Sequence, residues 1–447
     1  MPVHFTSSPV QLIIDPATEY LLYTSHCTNG NISSMHILLF ISLLLINFAC
    51  SALERSVTDQ NGNDIEIEVA EAEGDLLTIW LVDHDEPRPL FDSLLHQVNQ
   101  AGIEVWRVDL LQSYFLPRSS ETVRTLDGVG VMAVLNAAHR HSNKHVLLVS
   151  YDRMPLPLLR GVNHWQTGHP DSRLLGAILL YPNLFGPPPV AGEAPELDPI
   201  LAATNLPLVI YQPAMGSQRW RLNSVMSSLW QAGSPAYVYL VPEVRDWFIM
   251  GEGEYTEEDR QAVARLPAQI RLLARLLEHH PKPTSAIPLP KDSVPAGTIH
   301  TLVRDNERKQ APEVSLSDSQ GRHLNTRSLH GKVILLNFWA TWCPPCVEEI
   351  PSLNRLKTHY EGRDLRIVSV DYRETEQEMQ AFLKDIPVDF PVLMDRDGLT
   401  SLAWQVFSFP SSFIIDRQGR IRYSANRAIN WDNQEVVQVI DALLAEQ

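Results

Sequence analysis

Cysteine is scarce in this chain, which has four among 447 residues. Cys27 and Cys50 lie near the N-terminus, so Cys343 and Cys346 are the pair left for the remainder. No second Cys or His pair stands close to them at ligand spacing, which argues against a structural zinc site. A disulfide across so small a loop adds little stability. The pair therefore indicates redox exchange.

Basic residues are also few. The chain has 36 Lys and Arg against 53 Asp and Glu, and its net charge is −17. This balance argues against nucleic acid as a partner and disfavours docking on anionic lipid by charge alone. No nicotinamide or flavin motif occurs, so we expect neither a bound cofactor nor a metal, with the cysteines as the redox centre. The length predicts two or three domains.

The N-terminal segment has one short apolar run and no basic residue. The run from Ile37 to Phe48 is too short for a comfortable transmembrane helix and has the length of a secretory signal core. We therefore predict a leader over residues 1–52. Because no Lys or Arg precedes Arg55, the usual positive end of a signal is missing. A true start at Met35 would supply a positive charge through its free amine.

Cys50 follows Ala49 at the end of this leader, as in a bacterial lipoprotein processing site. Asn47 stands where an aliphatic residue is expected in such a site. Three alternatives stay open: lipidation of Cys50, a bystander cysteine in a discarded signal, and an uncleaved leader that anchors the chain. Each predicts export to the cell envelope.

The stretch "NFWATWCPPCVEEIP" places the cysteine pair between two elements. "KVILLNFWA" is typical of a buried central strand, and "PPCVEEIPSLNRLKTHY" begins a helix with an apolar inner face. Cys343 then lies at a helix N-terminus, where the dipole stabilises a thiolate and lowers its pKa. Cys346, one turn further in, is more shielded. We predict that Cys343 attacks a substrate disulfide and Cys346 resolves the mixed disulfide. Pro344 suits the first helical position.

From about Ala311 to the end, the chain resembles the TlpA/ResA/CcmG group of thioredoxin-like thiol-disulfide oxidoreductases of the bacterial envelope. The segment "APEVSLSDSQGRHLNTRSLHGKVILLNFWATWCPPCVEEIP" carries the resemblance. It implies a thioredoxin-like domain over residues 311–447, a periplasmic protein-disulfide reductase, protein thiol or disulfide clients, and a membrane thiol-reductant carrier as electron donor. A disulfide oxidant or isomerase is the alternative, because the sequence does not determine whether the cysteine pair reduces or oxidises its clients.

The resemblance also implies roles for residues around the pair. Pro410 matches the family's cis-proline, and the backbone of Phe409 before it would bind an extended substrate segment. Trp342 would cover one side of the pair. The implied substrate-binding set is Trp342, Pro344, Pro345, Phe409 and Pro410. A strand-start proline and an aromatic that only packs are the structural alternatives.

Glu349 matches the glutamate of the family pattern Cys-Pro-Pro-Cys-X-X-Glu-X-Pro. It lies about one helical turn after Cys346, so it could relay a proton to or from that thiol. A solvated helix glutamate is the alternative. Asn337 stands where cytoplasmic thioredoxins carry a buried aspartate, which leaves Glu349 as the available acid.

The middle region, residues 57–280, alternates apolar strand-like runs with helical segments. This alternation predicts an α/β fold, with a parallel sheet covered by helices on both faces. The pattern resembles an α/β-hydrolase core, which makes residues 281–310, rich in proline and polar residues, a linker to the thioredoxin-like domain. The loop "YPNLFGPPPVAGEAPELDP" is a candidate contact surface, with a mobile loop as the alternative.

At the catalytic positions of an α/β-hydrolase, the residues of this chain depart from the pattern of that family. The nucleophile elbow reads "SYDRM", with Asp152 at its centre, and the large Met154 where a small residue lets the turn close. His84 and Asp85 occupy the oxyanion loop, where an acid opposes an oxyanion. Asp246 follows the last strand, where the catalytic His is expected. We therefore predict a non-catalytic domain that binds a partner or positions the redox domain. The alternatives are an Asp152-dependent hydrolase with an accessory redox domain, and a binding module.

Overall fold

The computed structural model describes residues 53–84, 87–166, 168–169, 173–186, 192–250, 256–283, 285–289, 302–406 and 408–446. The predicted leader, with Met35 and Cys50, lies outside the described residues. Within the described part, no helix has both the length and the apolar character needed to cross a membrane. The described elements form two large sheets, the first within residues 53–241 and the second within residues 303–425. We call the described residues up to 289 the N-terminal half and those from 302 onward the C-terminal half.

The N-terminal sheet has eight strands in the order β1-β2-β4-β3-β5-β6-β7-β8. β1 and β2 form an antiparallel hairpin, β2 runs antiparallel to β4, and the remaining neighbours are parallel. The strands are β1 Leu53–Thr58, β2 Asp64–Ala70, β3 Leu76–Val82, β4 Glu104–Asp109, β5 His145–Tyr151, β6 Leu174–Leu180, β7 Leu208–Pro213 and β8 Ala236–Val241. The parallel part agrees with the predicted alternation, whereas the hairpin was not predicted.

Helices cover both faces of this sheet because its strands β3, β6 and β7 are buried along their whole length. One face packs against α4, α5 and α6, and the other against α1 and α7. The helices are α1 Pro89–Gln100, α2 Leu110–Ser113, α3 Ser120–Thr125, α4 Val129–His141, α5 Pro155–Gln166, α6 Leu222–Gln231 and α7 Glu257–Glu278, with 3₁₀ turns at Pro199–Ala203 and Ser217–Arg221. The buried strands thus have the two-sided cover that a parallel sheet requires.

The C-terminal sheet has six strands in the order β14-β13-β12-β15-β16-β9, with a separate β10-β11 hairpin. All seven residues of β12 are buried, and β12 pairs parallel with β13 and antiparallel with β15. The strands are β9 Val303–Arg304, β10 Ser315–Ser317, β11 His323–Asn325, β12 Val333–Trp339, β13 Leu365–Tyr372, β14 Val392–Asp395, β15 Ser411–Ile415 and β16 Ile421–Ala425. The apolar run predicted as a central strand is therefore central.

Helices α8 and α11 pack on one face of this sheet. The helices of this half are α8 Pro344–His359, α9 Glu376–Asp385, α10 Leu399–Ala403 and α11 Gln434–Ala445, with a 3₁₀ turn at Thr326–Leu329. β15 and β16 pair antiparallel and form a hairpin over "RQGR".

The stretch predicted as a linker, 281–310, is attached at both of its ends. Near its start, the Ile287 carbonyl accepts a hydrogen bond from Asn163, and Ile287 packs on the N-terminal core. Near its end, Val303–Arg304 is strand β9, paired with β16. The C-terminal sheet therefore begins before residue 311, and the predicted linker boundary was wrong there, because a two-residue edge strand is specified only by its partner.

Side chains from each half contact the other half directly. Arg245 donates two hydrogen bonds to Glu378, at 2.9 and 3.1 Å, and one to the Arg373 carbonyl. Arg373 in turn donates to the Ala214 carbonyl at 2.9 Å. Arg221 donates to the Gln405 carbonyl at 3.4 Å. These contacts orient the two sheets relative to each other.

The Pro/Gly-rich loop predicted as a contact surface is described on either side of residues 187–191. After that gap, Glu193 lies 3.5 Å from Lys309 of the C-terminal half. Gly192, at φ +89°, lies so close that a Cβ there would be 3.3 Å from the Phe413 ring. This end of the loop thus contacts the C-terminal half of the same chain.

Candidate active site

Cys343 and Cys346 form a disulfide at the start of helix α8. Strand β12 leads into the turn, Cys343 is the N-cap residue, and Pro344 takes the first helical position, as predicted. The amides of Cys346 and Val347 both donate to the Cys343 carbonyl, at 3.0 and 3.2 Å. Cys343 is 6% exposed and Cys346 1% exposed, so Cys343 is the more accessible sulfur of the pair.

The loop that precedes β15 packs against the pair. The Phe409–Pro410 peptide bond is cis, and Phe409 packs on the apolar cluster that contains both cysteines. The rings of Trp342 and Phe409 meet edge to face with centroids 5.9 Å apart. The structure thus brings the sequence-predicted aromatic and proline residues together around Cys343.

Glu349 is buried one turn after Cys346 on helix α8, and its carboxylate accepts three hydrogen bonds. The donors are Asn337 Nδ2 at 2.7 Å, Trp431 Nε1 at 2.9 Å and the Ile429 amide at 3.3 Å. Burial raises the pKa of Glu349 to about 7, although these hydrogen bonds lower it. The solvated-glutamate alternative was wrong, because the side chain is only 3% exposed.

Sequence reasoning missed a second acid beside the active-site turn. Glu374 is buried and accepts hydrogen bonds from the amide of Thr341, at 2.7 Å, and from its hydroxyl. Thr341 stands two residues before Cys343. Burial, followed by the charge of Glu374, raises the pKa of Asp371 well above its ordinary value. No local pattern marks Glu374, because its partner lies 33 residues away.

In the N-terminal half, Asp152 occupies the predicted elbow between β5 and α5. Its φ is +47°, a strained value for a residue with a side chain, and its carboxylate lies 2.7 Å from Arg153. Met154 is fully buried. Burial and then the charge of Asp152 raise the pKa of the nearby Asp83 to about 6.

The other predicted hydrolase positions are also engaged in local contacts. Ring nitrogens of His84 lie 2.7 Å from the Tyr151 hydroxyl and 3.4 Å from Arg107. Asp246 accepts hydrogen bonds from the amide and hydroxyl of Ser217, at 2.8 and 2.9 Å. Asp85 lies outside the described residues.

Cys343 and the elbow of the N-terminal half open into one cavity of about 400 Å³. The C-terminal half contributes Trp342, Cys343, Pro344, Pro345, Ser408 and Phe409 to its lining. The N-terminal half contributes Ser120, Asp152, Arg153, Tyr181, Asn183, Ser217, Gln218, Asp246 and Trp247. Four of the five residues predicted to bind substrate line this cavity, and Pro410 does not. Among the described residues, no cluster of three or more His, Cys, Asp or Glu is arranged to hold a metal.

Comparisons with known proteins place the C-terminal half in a family. Residues 308–424 match the AhpC/TSA family. The chain is 34% identical over 113 residues to the thiol-disulfide oxidoreductase ResA of Bacillus thuringiensis, and this segment covers 25% of this chain and 65% of ResA. It is 35% identical over 119 residues to the thioredoxin-like protein YneN of Bacillus subtilis, covering 26% of this chain and 69% of YneN.

A solved structure, a thioredoxin-family thiol:disulfide interchange protein from Chlorobium tepidum, is 25% identical with a TM-score of 0.28, covering 32% of this chain and 99% of that one. On the likeness to YneN, the C-terminal half is a thioredoxin-like domain, and its Cys-X-X-Cys pair lies at a helix start. The chain belongs, through this domain, to the thioredoxin-like family that includes YneN and ResA.

Proposed function

We propose that the protein is a thiol-disulfide oxidoreductase that reduces protein disulfides. The observation that carries the proposal is the difference between the two cysteines of helix α8. Cys343 caps the helix and lines an open cavity, whereas Cys346 is buried beneath it. An accessible attacking sulfur with a shielded sulfur one turn away is the arrangement that disulfide exchange requires. The similarity to ResA, a thiol-disulfide oxidoreductase, supports the same activity.

The reaction proceeds by two exchanges that move two electrons to the client. The Cys343 thiolate attacks one client sulfur, so that a Cys343–client disulfide forms and the other client sulfur leaves as a thiolate. The Cys346 thiolate then attacks Cys343 Sγ, which releases the second client thiolate and forms the Cys343–Cys346 disulfide. Both client thiolates take a proton. A dithiol donor must then reduce the pair, and we propose a membrane thiol carrier of the envelope for that role.

Two features of the site support the reducing direction. Pro344 and Pro345 have no backbone N–H, so the first turn of α8 offers few donors to a Cys343 thiolate. Weaker thiolate stabilisation makes the reduced pair a stronger reductant, since a stabilised thiolate is what makes an oxidant. The buried Glu349, with a pKa of about 7, can hold or release a proton near neutrality. We propose that it serves the Cys346 thiol.

We further propose that the N-terminal half is hydrolase-like and non-catalytic. Its strand order and the strained φ of Asp152 support the resemblance. The ion pair with Arg153 supports the absence of catalysis, because it engages the carboxylate that a hydrolase would use as nucleophile. If Asp152 were a nucleophile, a panel of esters and haloalkanes would show turnover that Asp152→Asn abolishes. We expect no turnover from either protein.

The proposal that the protein is exported rests on the sequence of the leader. The apolar run from Ile37 to Phe48 supports a periplasmic location, where the oxidising environment creates disulfides to reduce. Attachment to the membrane through the leader, with or without acylation of Cys50, is part of the same proposal.

Client trapping tests the exchange mechanism. In Cys346→Ala the second exchange cannot occur, so clients should stay covalently bound to Cys343 and be released by dithiothreitol. Cys343→Ala is the matched control and should trap none. If Cys346→Ala also traps none, the chain is a binding module and the proposal fails.

The reduction potential of the pair tests the direction. A value near that of thioredoxin, about −270 mV, is expected for a reductase. A value near about −120 mV would make the protein a disulfide donor and favour the oxidant or isomerase alternative.

A further inference from the structure

The cavity at Cys343 is built by both halves of the chain. Asp152, Tyr181, Asn183 and Trp247 form its N-terminal wall, facing the wall that contains Cys343 and Phe409. Its volume of about 400 Å³ lies in the range of ligand-binding clefts. A client that reaches Cys343 by this route therefore meets the N-terminal half as well as the redox domain.

A second cavity of about 250 Å³ continues from the first into the N-terminal half. The two share Ser120, Asp152, Arg153 and Trp247 in their linings, and the second extends to His84. The two volumes form one cleft, which we call the elbow cleft, running from Cys343 past the strained turn at Asp152. A cleft of this size suits a few residues of an extended chain better than a folded domain.

Buried polar atoms without a hydrogen-bond partner among the described residues line the elbow cleft, and they include Arg153 Nε, Tyr181 Oη, Trp342 Nε1 and Ser408 Oγ. The indole is a donor only, and the two hydroxyls can also donate. A buried polar group left without a partner is costly, so a ligand with acceptor atoms would be stabilised there.

The charged groups of the same cleft already have partners. Asp152 is paired with Arg153, and Asp246 accepts from the amide and hydroxyl of Ser217. Arg153 Nε is also a donor, and the charge of Arg153 is balanced by Asp152. The groups without a partner are therefore donors in a locally neutral setting, which suit neutral acceptors better than an ionised small molecule. Backbone carbonyls of an extended peptide are such acceptors, and they recur along a strand at about 3.3 Å per residue.

We propose that the elbow cleft binds an extended polypeptide segment of the client, with the client disulfide at Cys343 and the flanking residues along the wall at Asp152 and Tyr181. The inference rests on the proposed reductase function. The N-terminal half thus selects clients whose cysteines lie in flexible segments, and its former catalytic pocket serves as a peptide site.

Filling the cleft tests this proposal in the full chain. Ser120 is exposed at the first position of α3 and lines both cavities, so Ser120→Trp adds bulk where the chain would pass. Ser227→Trp, at an exposed position of α6, is the matched control. The probes are a flexible peptide with one internal disulfide and the small neutral disulfide 2,2′-dithiodipyridine.

The measured quantity is the ratio of kcat/KM for the peptide to the rate with the small disulfide. We expect Ser120→Trp to lower this ratio about tenfold and Ser227→Trp to leave it unchanged. Tyr181→Phe adds no bulk and removes one donor, so it should raise the peptide KM about threefold to tenfold. Unchanged ratios in both Ser120→Trp and Tyr181→Phe would overturn the inference.

The outcome for the wild-type protein separates the two proposals. A reduced chain that reacts with neither probe overturns the reductase function and this inference with it. A chain that reduces the small disulfide but not the peptide overturns the inference alone.

Discussion

Glu349 is the residue whose protonation most directly links the site to stability. Its pKa is about 7 in the folded chain, against an ordinary value of 4.5, because the carboxyl is buried. The folded state therefore binds the proton more tightly than the unfolded state. The resulting stability is fully present below about pH 4.5 and is lost as the pH rises through about 7.

Glu349→Gln should remove this pH dependence, because the amide does not titrate. Between about pH 5 and about pH 8, the wild-type free energy of unfolding should fall relative to that of the variant by about 2 to 3 kcal/mol. Urea denaturation at both pH values measures it. Glu348→Gln, at an exposed position of the same helix, should track the wild type. If the free energies of unfolding of Glu349→Gln and the wild type change equally with pH, the pKa of Glu349 is not raised in the folded chain.

At this scale the sequence identified some partners and missed others. The resemblance pointed to Glu349 and Asn337, and the structure joins them by a hydrogen bond. Trp431, which also donates to Glu349, is 82 residues away in a loop. Nothing in its local sequence distinguishes it from a packing tryptophan, since the contact exists only when the loop before α11 folds over α8.

At the scale of elements, the turn between β12 and α8 is anchored by Thr341 and Glu374. Thr341→Ala keeps the backbone hydrogen bond to Glu374 and removes the hydroxyl one. Since Glu374 is buried, we expect a loss of about 1 to 3 kcal/mol in the free energy of unfolding, measured by urea denaturation. Thr358→Ala, on the exposed side of α8, is the control and should change stability by less than about 0.5 kcal/mol. Equal effects would show that Thr341 is not an anchor.

Strands and helices were predictable where their burial leaves a periodic or continuous pattern of apolar residues in the sequence. β12 is buried throughout and apolar except at Asn337, and it was predicted as a central strand, as it is. The strand Asp64–Ala70 alternates exposed and buried residues, so "IEIEVA" carried a signal that the sequence interpretation did not use. Val303–Arg304 had no such signal, because two residues cannot show a period.

At the scale of the whole molecule, the relative placement of the two sheets was beyond the sequence. Arg245 and Glu378 are 133 residues apart, and each looks like an ordinary surface charge in its own segment. The length indicated two or three domains, and the departures of the elbow from the hydrolase pattern indicated a domain without catalysis. Neither observation indicates that the elbow faces Cys343, because that follows from a few side-chain contacts between the halves.

Substitution of Arg245 therefore tests how the two halves of the chain are held relative to each other. Interfaces between domains of one chain commonly permit relative motion unless they are large and apolar. Here the half-buried Arg245 donates two hydrogen bonds to the Glu378 carboxylate and a third to the Arg373 carbonyl. Charge-assisted bonds of this kind contribute about 1 to 2 kcal/mol when partly exposed, which is enough to shift a docking equilibrium about tenfold.

Arg245→Ala should release the two halves from each other while each keeps its own core, because the lost contacts lie between the sheets. Small-angle X-ray scattering should show a larger radius of gyration, and the peptide preference of the elbow cleft should fall while the Cys343–Cys346 potential is retained. Arg260→Ala, which removes an exposed ion pair within α7, is the matched control and should leave the scattering unchanged. An unchanged radius of gyration in Arg245→Ala would mean that other contacts hold the halves together. A changed potential would mean that the N-terminal half tunes the chemistry of the pair, in addition to shaping the route by which clients reach it.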